Sequence, residues 1–305
     1  MNDAIALTSA RTRTTTRRVR RRALWSIPFL APGVFFLIMV ILIPAAQGTA
    51  YAFTDWDGLS QDFTFIGFGN FVEMLVDPLG RGAIVQTLVI TLLTVVFQTV
   101  AGVVLAVGLN SRIRMKGLLR LLFFLPVVMA PVIVAKLWAF LYVPDGAFDS
   151  ILDALGLGAL SQVWLGDPKI AIYAVTVVIV WQYTGLSMVV FLSGLQNVPE
   201  ETIEAAHVDG AGSVRTFFSV VLPQLRPAFI VSISLAILTG LKTFDQVWVL
   251  TQGGPGTSTQ TLSTAIYQSA FVFGDYGYGT ALAVVLSAVA ILAVVGQRVL
   301  MRGER

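Results

Sequence analysis

A polar stretch at 195–227 separates two long apolar segments and concentrates acidic side chains. It holds four of the chain's seventeen acidic residues: Glu200, Glu201, Glu204 and Asp209. Paired glutamates can serve in acid–base catalysis. Here they stand at the start of a predicted helix, where the helix dipole favours negative charge. We therefore interpret the stretch as a surface that a soluble partner contacts, and not as a catalytic site.

A second polar group lies inside an apolar segment and comprises Lys242, Asp245, Gln246 and Trp248. A charge at membrane depth costs at least about 2.5 kcal/mol and normally faces a bundle interior or a water-filled cavity. Two interpretations stay open. Lys242 and Asp245 neutralise one another at i, i+3 spacing, or Lys242 reaches a head group; alternatively, the group lines a transport pathway. Nearly consecutive residues face one cavity only where a helix is broken.

Residues that the chain lacks exclude several kinds of active site. No G-x-x-x-x-G-K-[ST] sequence is present, because none of the four lysines follows a glycine. With a single histidine, His207, and no cysteine, the chain has no histidine-based triad and no histidine or thiolate metal cluster. We predict that the chain is not an enzyme, binds no metal and holds no cofactor.

The elements that must position these residues are membrane helices. At 56% hydrophobic and 12% charged residues, with a mean hydropathy of +0.82, the 305-residue chain is too apolar for a soluble domain. We predict an arginine-rich tail over 1–22 and one all-α polytopic domain over 23–305. Pro126 and Pro131 should kink its third span. Six segments reach the ~20 residues that cross a bilayer, at about 23–52, 83–109, 118–142, 169–193, 228–250 and 277–300.

The basic residues predict the orientation of the chain. Sixteen of the twenty lysines and arginines lie in the tail, in 110–120, in 195–227 or after residue 297. Arg81 and Lys169 alone lie in the opposite loops. The positive-inside rule therefore places both termini and 195–227 in the cytoplasm. Membrane topology also explains the pI near 9.3, so no nucleic-acid partner is expected.

The two segments predicted on the outer face are less specific. Aromatic and acidic residues over 53–82 suit anchoring at the membrane interface, or contact with a soluble delivery protein. Residues 144–168 include a short amphipathic piece that is expected to lie along the outer surface.

Within 195–227 the sequence predicts a helix, a tight turn and a second helix. The first helix should begin at Pro199 or Glu200 and end near Val208. The small residues Ala205 and Ala206 share a face of this helix with Thr202 and Asp209, which allows close approach by another protein. The expected caps and stops, in chain order, are Asn197, Gly210, Ser213 and Pro223.

This stretch resembles the EAA loop of ABC importer permeases. The matching pattern is Glu204-Ala205-Ala206, three residues, Gly210, nine residues, Val220, one residue and Leu222-Pro223; the family usually has Ile where this chain has Val220. The resemblance implies a cytoplasmic loop that seats in a cleft of a separate ATPase subunit. The alternative is an ordinary amphipathic linker. The implied docking residues are Glu204, Ala205, Ala206, Gly210, Leu222 and Pro223.

A later region is similar to the end of carbohydrate permeases of the maltose and glycerol-phosphate type. The residues that carry the similarity are Phe244-Asp245, Leu250-Thr251, Gly253-Gly254-Pro255, Ile266-Tyr267 and Ala270-Phe271. It implies the ABC importer type I permease fold in the bacterial cytoplasmic membrane and a carbohydrate or polyol substrate. Asp245, Gln246 and Trp248 would contact this substrate, with Lys242 in the same pathway.

The same resemblance implies a set of partners. The chain would form half of a heterodimeric pore with a second, homologous permease subunit. Two ATPase subunits would bind ATP and Mg²⁺, and an extracytoplasmic solute-binding protein would deliver the sugar. Two other functions are an ion-gradient-driven secondary transporter, with Asp245 as an ion ligand, and a structural membrane scaffold. The first leaves the EAA loop unexplained, and the second predicts no substrate-dependent change.

Overall fold

The computed structural model describes residues 30–111 and 114–302. Within these ranges the regular structure is helical, with no strand and one isolated antiparallel bridge between Thr54 and Phe65. Four helices in the described part are long and apolar enough to cross a membrane, or six when each of two sharply bent helix pairs is counted as one span. The prediction of an all-α polytopic membrane protein is therefore confirmed.

Two compact units can be distinguished, one up to Tyr51 and one from Ala52 onward. The single domain over 23–305 stays a prediction. The described part of the first unit is helix α1, Leu30–Tyr51, with a π-helical turn over Leu37–Leu42. None of its residues is buried. Its 22 residues suffice to cross a bilayer. The predicted tail 1–22 and the first residues of the predicted first span lie outside the described residues.

The second unit contains twelve labelled helices in the described residues, beginning with α2 and ending with α13. Helix α12 continues as a π-helical turn over Gln268–Val272. The bounds are α2 Gly69–Val76, α3 Pro78–Asn110, α4 Lys116–Val128, α5 Pro131–Leu141, α6 Ala147–Ala154, α7 Ala171–Gln196, α8 Glu200–Val208, α9 Ser213–Gln224, α10 Arg226–Leu241, α11 Asp245–Leu250, α12 Leu262–Tyr267 and α13 Tyr276–Arg302.

Helices α3, α7 and α10 pack on one another and form the centre of this unit. Helix α3 begins at a well-formed cap, because the Asp77 carboxylate accepts the N–H groups of Leu79 and Gly80 and Pro78 occupies the first turn. One row of α3 is buried although it is polar: Thr87, Thr91, Thr94 and Gln98. Packing between membrane helices is thus made partly by small and polar side chains.

The third predicted span is interrupted near its prolines, where the sequence predicts a kink. Helices α4 and α5 meet at an angle of 100° across Met129 and Ala130. Pro131 is the first residue of α5 and has no N–H to donate, and Pro126 lies inside α4. The single bent span expected over 118–142 is therefore two separate helices.

The fifth predicted span differs from the continuous helix expected over 228–250. Helix α10 ends at Leu241, and a new helix, α11, starts at Asp245. Side chains from the next segment satisfy carbonyl groups that the break leaves free: Thr261 Oγ1 donates to Thr243 O at 3.2 Å and Ser263 Oγ to Leu241 O at 3.4 Å. These bonds stabilise the break between α10 and α11, where the sequence has no proline.

Residues 52–68 form a folded non-helical segment that is bonded to two helices. Asn70 Nδ2, at the start of α2, donates to Thr54 O at 2.9 Å. The Gly277 N–H, at the start of α13, donates to Trp56 O at 2.8 Å. Further along the chain, helix α6 lies within 144–168, where the sequence predicts a short amphipathic piece.

Gly240 allows α10 to approach α3 closely, and this contact yields a testable prediction. A Cβ at Gly240 would lie 2.6 Å from Thr91 Cα, whereas a Cβ at Gly108 would meet nothing within 4 Å. Gly240→Ala should destabilise the protein by about 1–3 kcal/mol, the usual cost of an overpacked interface. The matched variant Gly108→Ala should be neutral. Thermal denaturation of the two purified variants tests this, and equal midpoints would contradict the described packing.

Candidate functional site

The polar stretch folds as the predicted helix, turn and helix. Helix α8 covers Glu200–Val208, and Gly210 adopts φ +80°, a left-handed conformation that glycine takes without steric cost. The turn is closed by two backbone bonds, from Gly210 N to His207 O at 3.0 Å and from Ala211 N to Ala206 O at 2.9 Å. This arrangement ends α8 and reverses the chain into α9.

Two of the predicted caps in this region are wrong. Asn197 closes the end of α7, where its Nδ2 donates to Ser193 O at 2.9 Å, so that Pro199 directly precedes α8. Gly212, and not Ser213, precedes α9. An asparagine at a helix end can bond backward to its own helix as readily as it can cap the next one.

Helix α9 extends one residue beyond Pro223 and ends at Gln224. It meets α10 at an angle of 68°. A π-helical turn over Phe217–Val221 comes directly before the proline. A π-helical turn interrupts the regular hydrogen bonding of an α-helix. The chain therefore bends here, near the proline at which the sequence predicts that the helix stops.

The predicted docking residues occupy two places. Glu204 and Ala205 are exposed on α8, Ala206 is half-buried there, and Gly210 forms the turn. Leu222 and Pro223 lie at the other end of α9, at the bend into α10. The first group therefore offers an accessible surface, while the second connects that surface to a core helix.

Two exposed aliphatic residues extend this accessible surface beyond the docking residues that the sequence predicts. Val208 is 87% exposed and Val214 is 74% exposed, although both are aliphatic. They flank the turn at Gly210. Sequence reasoning missed them because it followed the small residues, but an aliphatic residue on each side of a glycine turn is a readable signal of an interaction surface.

A cavity of about 290 Å³ lies where the two broken spans meet. Its walls come from five parts of the chain: Pro131 of α5, Tyr183 of α7, the last two turns of α10, the break that follows α10 and the first turn of α11. The lining residues from α10 onward are Leu235, Leu238, Thr239, Lys242, Thr243, Phe244, Asp245 and Gln246.

The helix break brings three of the four predicted pathway residues, Lys242, Asp245 and Gln246, to this cavity. No ion pair within 4.0 Å joins Lys242 to Asp245, two residues that the structure describes fully. The interpretation in which they neutralise one another is therefore not supported. A cationic donor and an anionic acceptor remain available on the cavity wall.

Gln246 lines the cavity but is 3% exposed, and its Nε2 donates to Gln182 Oε1 at 2.8 Å. Trp248 does not line the cavity. It stacks on Phe244 with ring centres 5.7 Å apart and meets the Tyr267 ring edge to face at 4.8 Å. Of the expected substrate contacts, Asp245 is thus the best placed.

Sequence reasoning missed two residues of this region, Tyr183 and Gln182, both on α7. Tyr183 lines the cavity directly. Gln182 lies behind the wall, fully buried, and bonds to residues of both broken spans. The available signal was a single amide in the middle of the otherwise apolar segment 169–193, because a buried amide needs partners.

The described residues contain no group of three or more histidine, cysteine, aspartate or glutamate side chains that could hold a metal ion. His207 Nδ1 lies 3.0 Å from the Ala211 carbonyl oxygen and so belongs to the turn after α8. The cavity wall offers hydrogen-bonding groups and charged groups.

Comparison with known proteins agrees with this architecture. The model of the family described as "Binding-protein-dependent transport system inner membrane component" matches residues 98–305. The multiple sugar-binding transport system permease protein MsmF of Streptococcus mutans is 37% identical over 262 residues, which is 86% of this chain and 90% of that protein. The probable starch degradation products transport system permease protein AmyD of Thermoanaerobacterium thermosulfurigenes is 34% identical, covering 87% and 90%.

A solved structure matches the fold over almost the whole chain. It is a bacterial ABC transporter involved in the import of the acidic polysaccharide alginate, with a TM-score of 0.78 and 23% identity over 95% of this chain and 98% of that one. A second crystal structure shows a bacterial alginate transporter in complex with an alginate pentasaccharide-bound periplasmic protein, and matches with a TM-score of 0.77 and 22% identity over 92% and 94%.

Proposed function

Because the chain belongs to the family of binding-protein-dependent transport system inner membrane components, we propose that it is the permease subunit of an ATP-driven importer of a carbohydrate or related polyol. It is a multi-pass protein of the cytoplasmic membrane. The observation that carries the proposal is the direct path from the exposed turn at Gly210 through α9 and α10 to the cavity at Lys242 and Asp245.

That path gives a physical route for coupling. Helix α10 has 16 residues, so the bend at Leu225 and the break at Lys242 lie about 24 Å apart along one helix. A rigid helix of this length transmits a displacement of α8 and α9 to the cavity wall. Closure of two ATPase subunits on ATP would supply that displacement, and the permease would exchange outward for inward access.

The distribution of basic residues supports an orientation in which both termini and α8 face the cytoplasm. With the bend near the cytoplasmic interface, 24 Å of α10 reaches the interior of a hydrocarbon core that is about 30 Å thick. The cavity then lies at membrane depth, where polar groups serve a substrate pathway. ATP and Mg²⁺ would bind to the partner ATPases, because this chain has no P-loop sequence.

The chemistry of the cavity supports a polyhydroxylated substrate. Asp245 offers a carboxylate acceptor, Lys242 an ammonium donor, and Thr239, Thr243 and Tyr183 offer hydroxyl groups. The names of the relatives, which refer to multiple sugars and starch products, agree with this chemistry. A second, homologous permease subunit would close the open side of the cavity. An extracytoplasmic solute-binding protein would present the sugar, as the alginate complex suggests.

The direct test is to purify the chain with its partners from native membranes and to measure ATP hydrolysis with a panel of sugars and the delivery protein. We expect an ATPase to co-purify and one class of sugars to stimulate hydrolysis. If the chain is isolated without any nucleotide-hydrolysing subunit and transports sugar with an ion gradient, the secondary-transporter hypothesis replaces the proposal.

A further inference from the structure

Two helix breaks lie against the same central helix. The break between α4 and α5 leaves the Met129 carbonyl outside regular helical bonding, because Ile133 N, four residues on, donates to Ala130 O at 2.9 Å instead. The break between α10 and α11 lies just before Gln246. Helix α7 runs past both without interruption for 26 residues.

A single side chain of α7 joins the two breaks. Gln182 Nε2 donates to Met129 O at 3.1 Å, and Gln182 Oε1 accepts from Gln246 Nε2 at 2.8 Å. Gln182 is completely buried, so neither bond is exchanged for water. The two ends of one amide thus tie the two breaks to each other.

Both joined segments contribute to the cavity wall, and their helices α5 and α11 pack on one another beside it. Pro131 follows Met129 in one segment, and Asp245 precedes Gln246 in the other. Gln182 itself does not line the cavity. It can therefore influence a ligand only by setting the distance between groups that do.

We propose that Gln182 is a positioning residue that fixes the spacing of these two parts of the cavity wall and thereby sets which carbohydrate the pathway accepts. This inference rests on the proposed function for its substrate class. Its structural content, the link from the α4–α5 break to α11 through one amide, does not depend on what is transported.

The transport test compares Gln182→Leu with Gln98→Leu. Leucine keeps the approximate volume but can neither donate nor accept. Gln98 is an equally buried glutamine whose Nε2 donates to Ser187 Oγ at 2.9 Å, away from the cavity. Gln182→Leu should raise the KM for the transported sugar roughly tenfold, the effect of losing hydrogen bonds in a buried network. Gln98→Leu should leave KM unchanged, whatever it does to the amount of protein in the membrane.

A double variant separates positioning from general loss of packing. If Gln182 acts through Gln246, the rise in KM of the variant with leucine at both positions should be smaller than the product of the rises in the two single variants, because both changes remove the same bond. A wild-type KM in Gln182→Leu, or an equal rise in Gln98→Leu, would overturn the inference.

A distance measurement tests the link without any transport. The chain has no cysteine, so spin labels can be placed at will by Lys136→Cys on α5 and Thr257→Cys after α11, two exposed positions. Pulsed electron resonance on the purified complex should give a narrow distance distribution that Gln182→Leu broadens or shifts and Gln98→Leu does not. An unchanged distribution would refute the positioning role even if sugar transport is observed. If Gln182→Leu broadens the distribution but the wild-type complex moves no sugar, the positioning role stands and the proposed function is refuted.

Discussion

Replacing Gly210 with proline is expected to abolish sugar uptake while ATP hydrolysis by the assembled complex continues. The Gly210 backbone has φ +80°, which proline, fixed near −65°, cannot adopt. Proline also removes the N–H that donates to His207 O at 3.0 Å. The turn between α8 and α9 must then open, and a displacement of α8 no longer reaches α10. Uptake into membrane vesicles and phosphate release, measured on the same preparation, check the separation of the two activities.

Gly212 provides a matched control two residues away. Its φ is −69°, and a Cβ added there would meet nothing within 4 Å. Gly212→Ala should therefore keep both activities. Wild-type uptake in Gly210→Pro would show that the turn does not couple the two processes. Loss of that variant from the membrane would point to folding, and Glu204→Ala, on exposed α8, then carries the test, with uncoupling again the expected result.

Removing the carboxylate of Asp245 is expected to give the second large effect. The group lies on the cavity wall at the first turn of α11, with no ion pair to Lys242. A hydrogen bond to a charged group contributes about 1.5–3 kcal/mol. Asp245→Ala should therefore raise the sugar concentration for half-maximal uptake by about 10- to 150-fold, since each 1.4 kcal/mol is a factor of ten. Uptake rates over a range of sugar concentrations measure this directly.

Asp153 on α6 is a suitable control because it is an exposed aspartate that does not line the cavity. Asp153→Ala should leave the half-maximal concentration unchanged. An Asp245→Ala complex that transports with wild-type affinity would remove the cavity from the substrate pathway. A complex with reduced affinity whose uptake also loses its dependence on ATP would favour the ion-gradient hypothesis.

The helix, turn and helix around Gly210 could be predicted because its determinants are local. Acidic residues open α8, and a glycine closes it in a left-handed conformation. The interruption between α4 and α5, where the sequence predicts a kink, also has a local cause, because Pro131 has no N–H. A cap between two neighbouring helices can belong to either of them, and Asn197 bonds to α7 instead of α8.

The break after Leu241 could not be predicted because distant residues stabilise it. No proline or glycine follows Gly240 there, and the free carbonyls are bonded by Thr261 and Ser263, about twenty residues further on. The sequence indicates only a condition: Lys242, Asp245 and Gln246 can all face one cavity if the helix that carries them is broken. Trp248 was expected beside the substrate from its type alone, and its stacking on Phe244 required the fold.

The most direct measurement is sugar uptake by proteoliposomes that contain this chain either alone or with its partner subunits and delivery protein. The account predicts uptake only for the complete complex, with ATP on the side that carries α8, and no uptake by the chain alone under any ion gradient. Accumulation of sugar by the chain alone, or ATP dependence from the opposite side, would contradict the conclusion that α8 and α9 carry the work of a separate ATPase to the cavity.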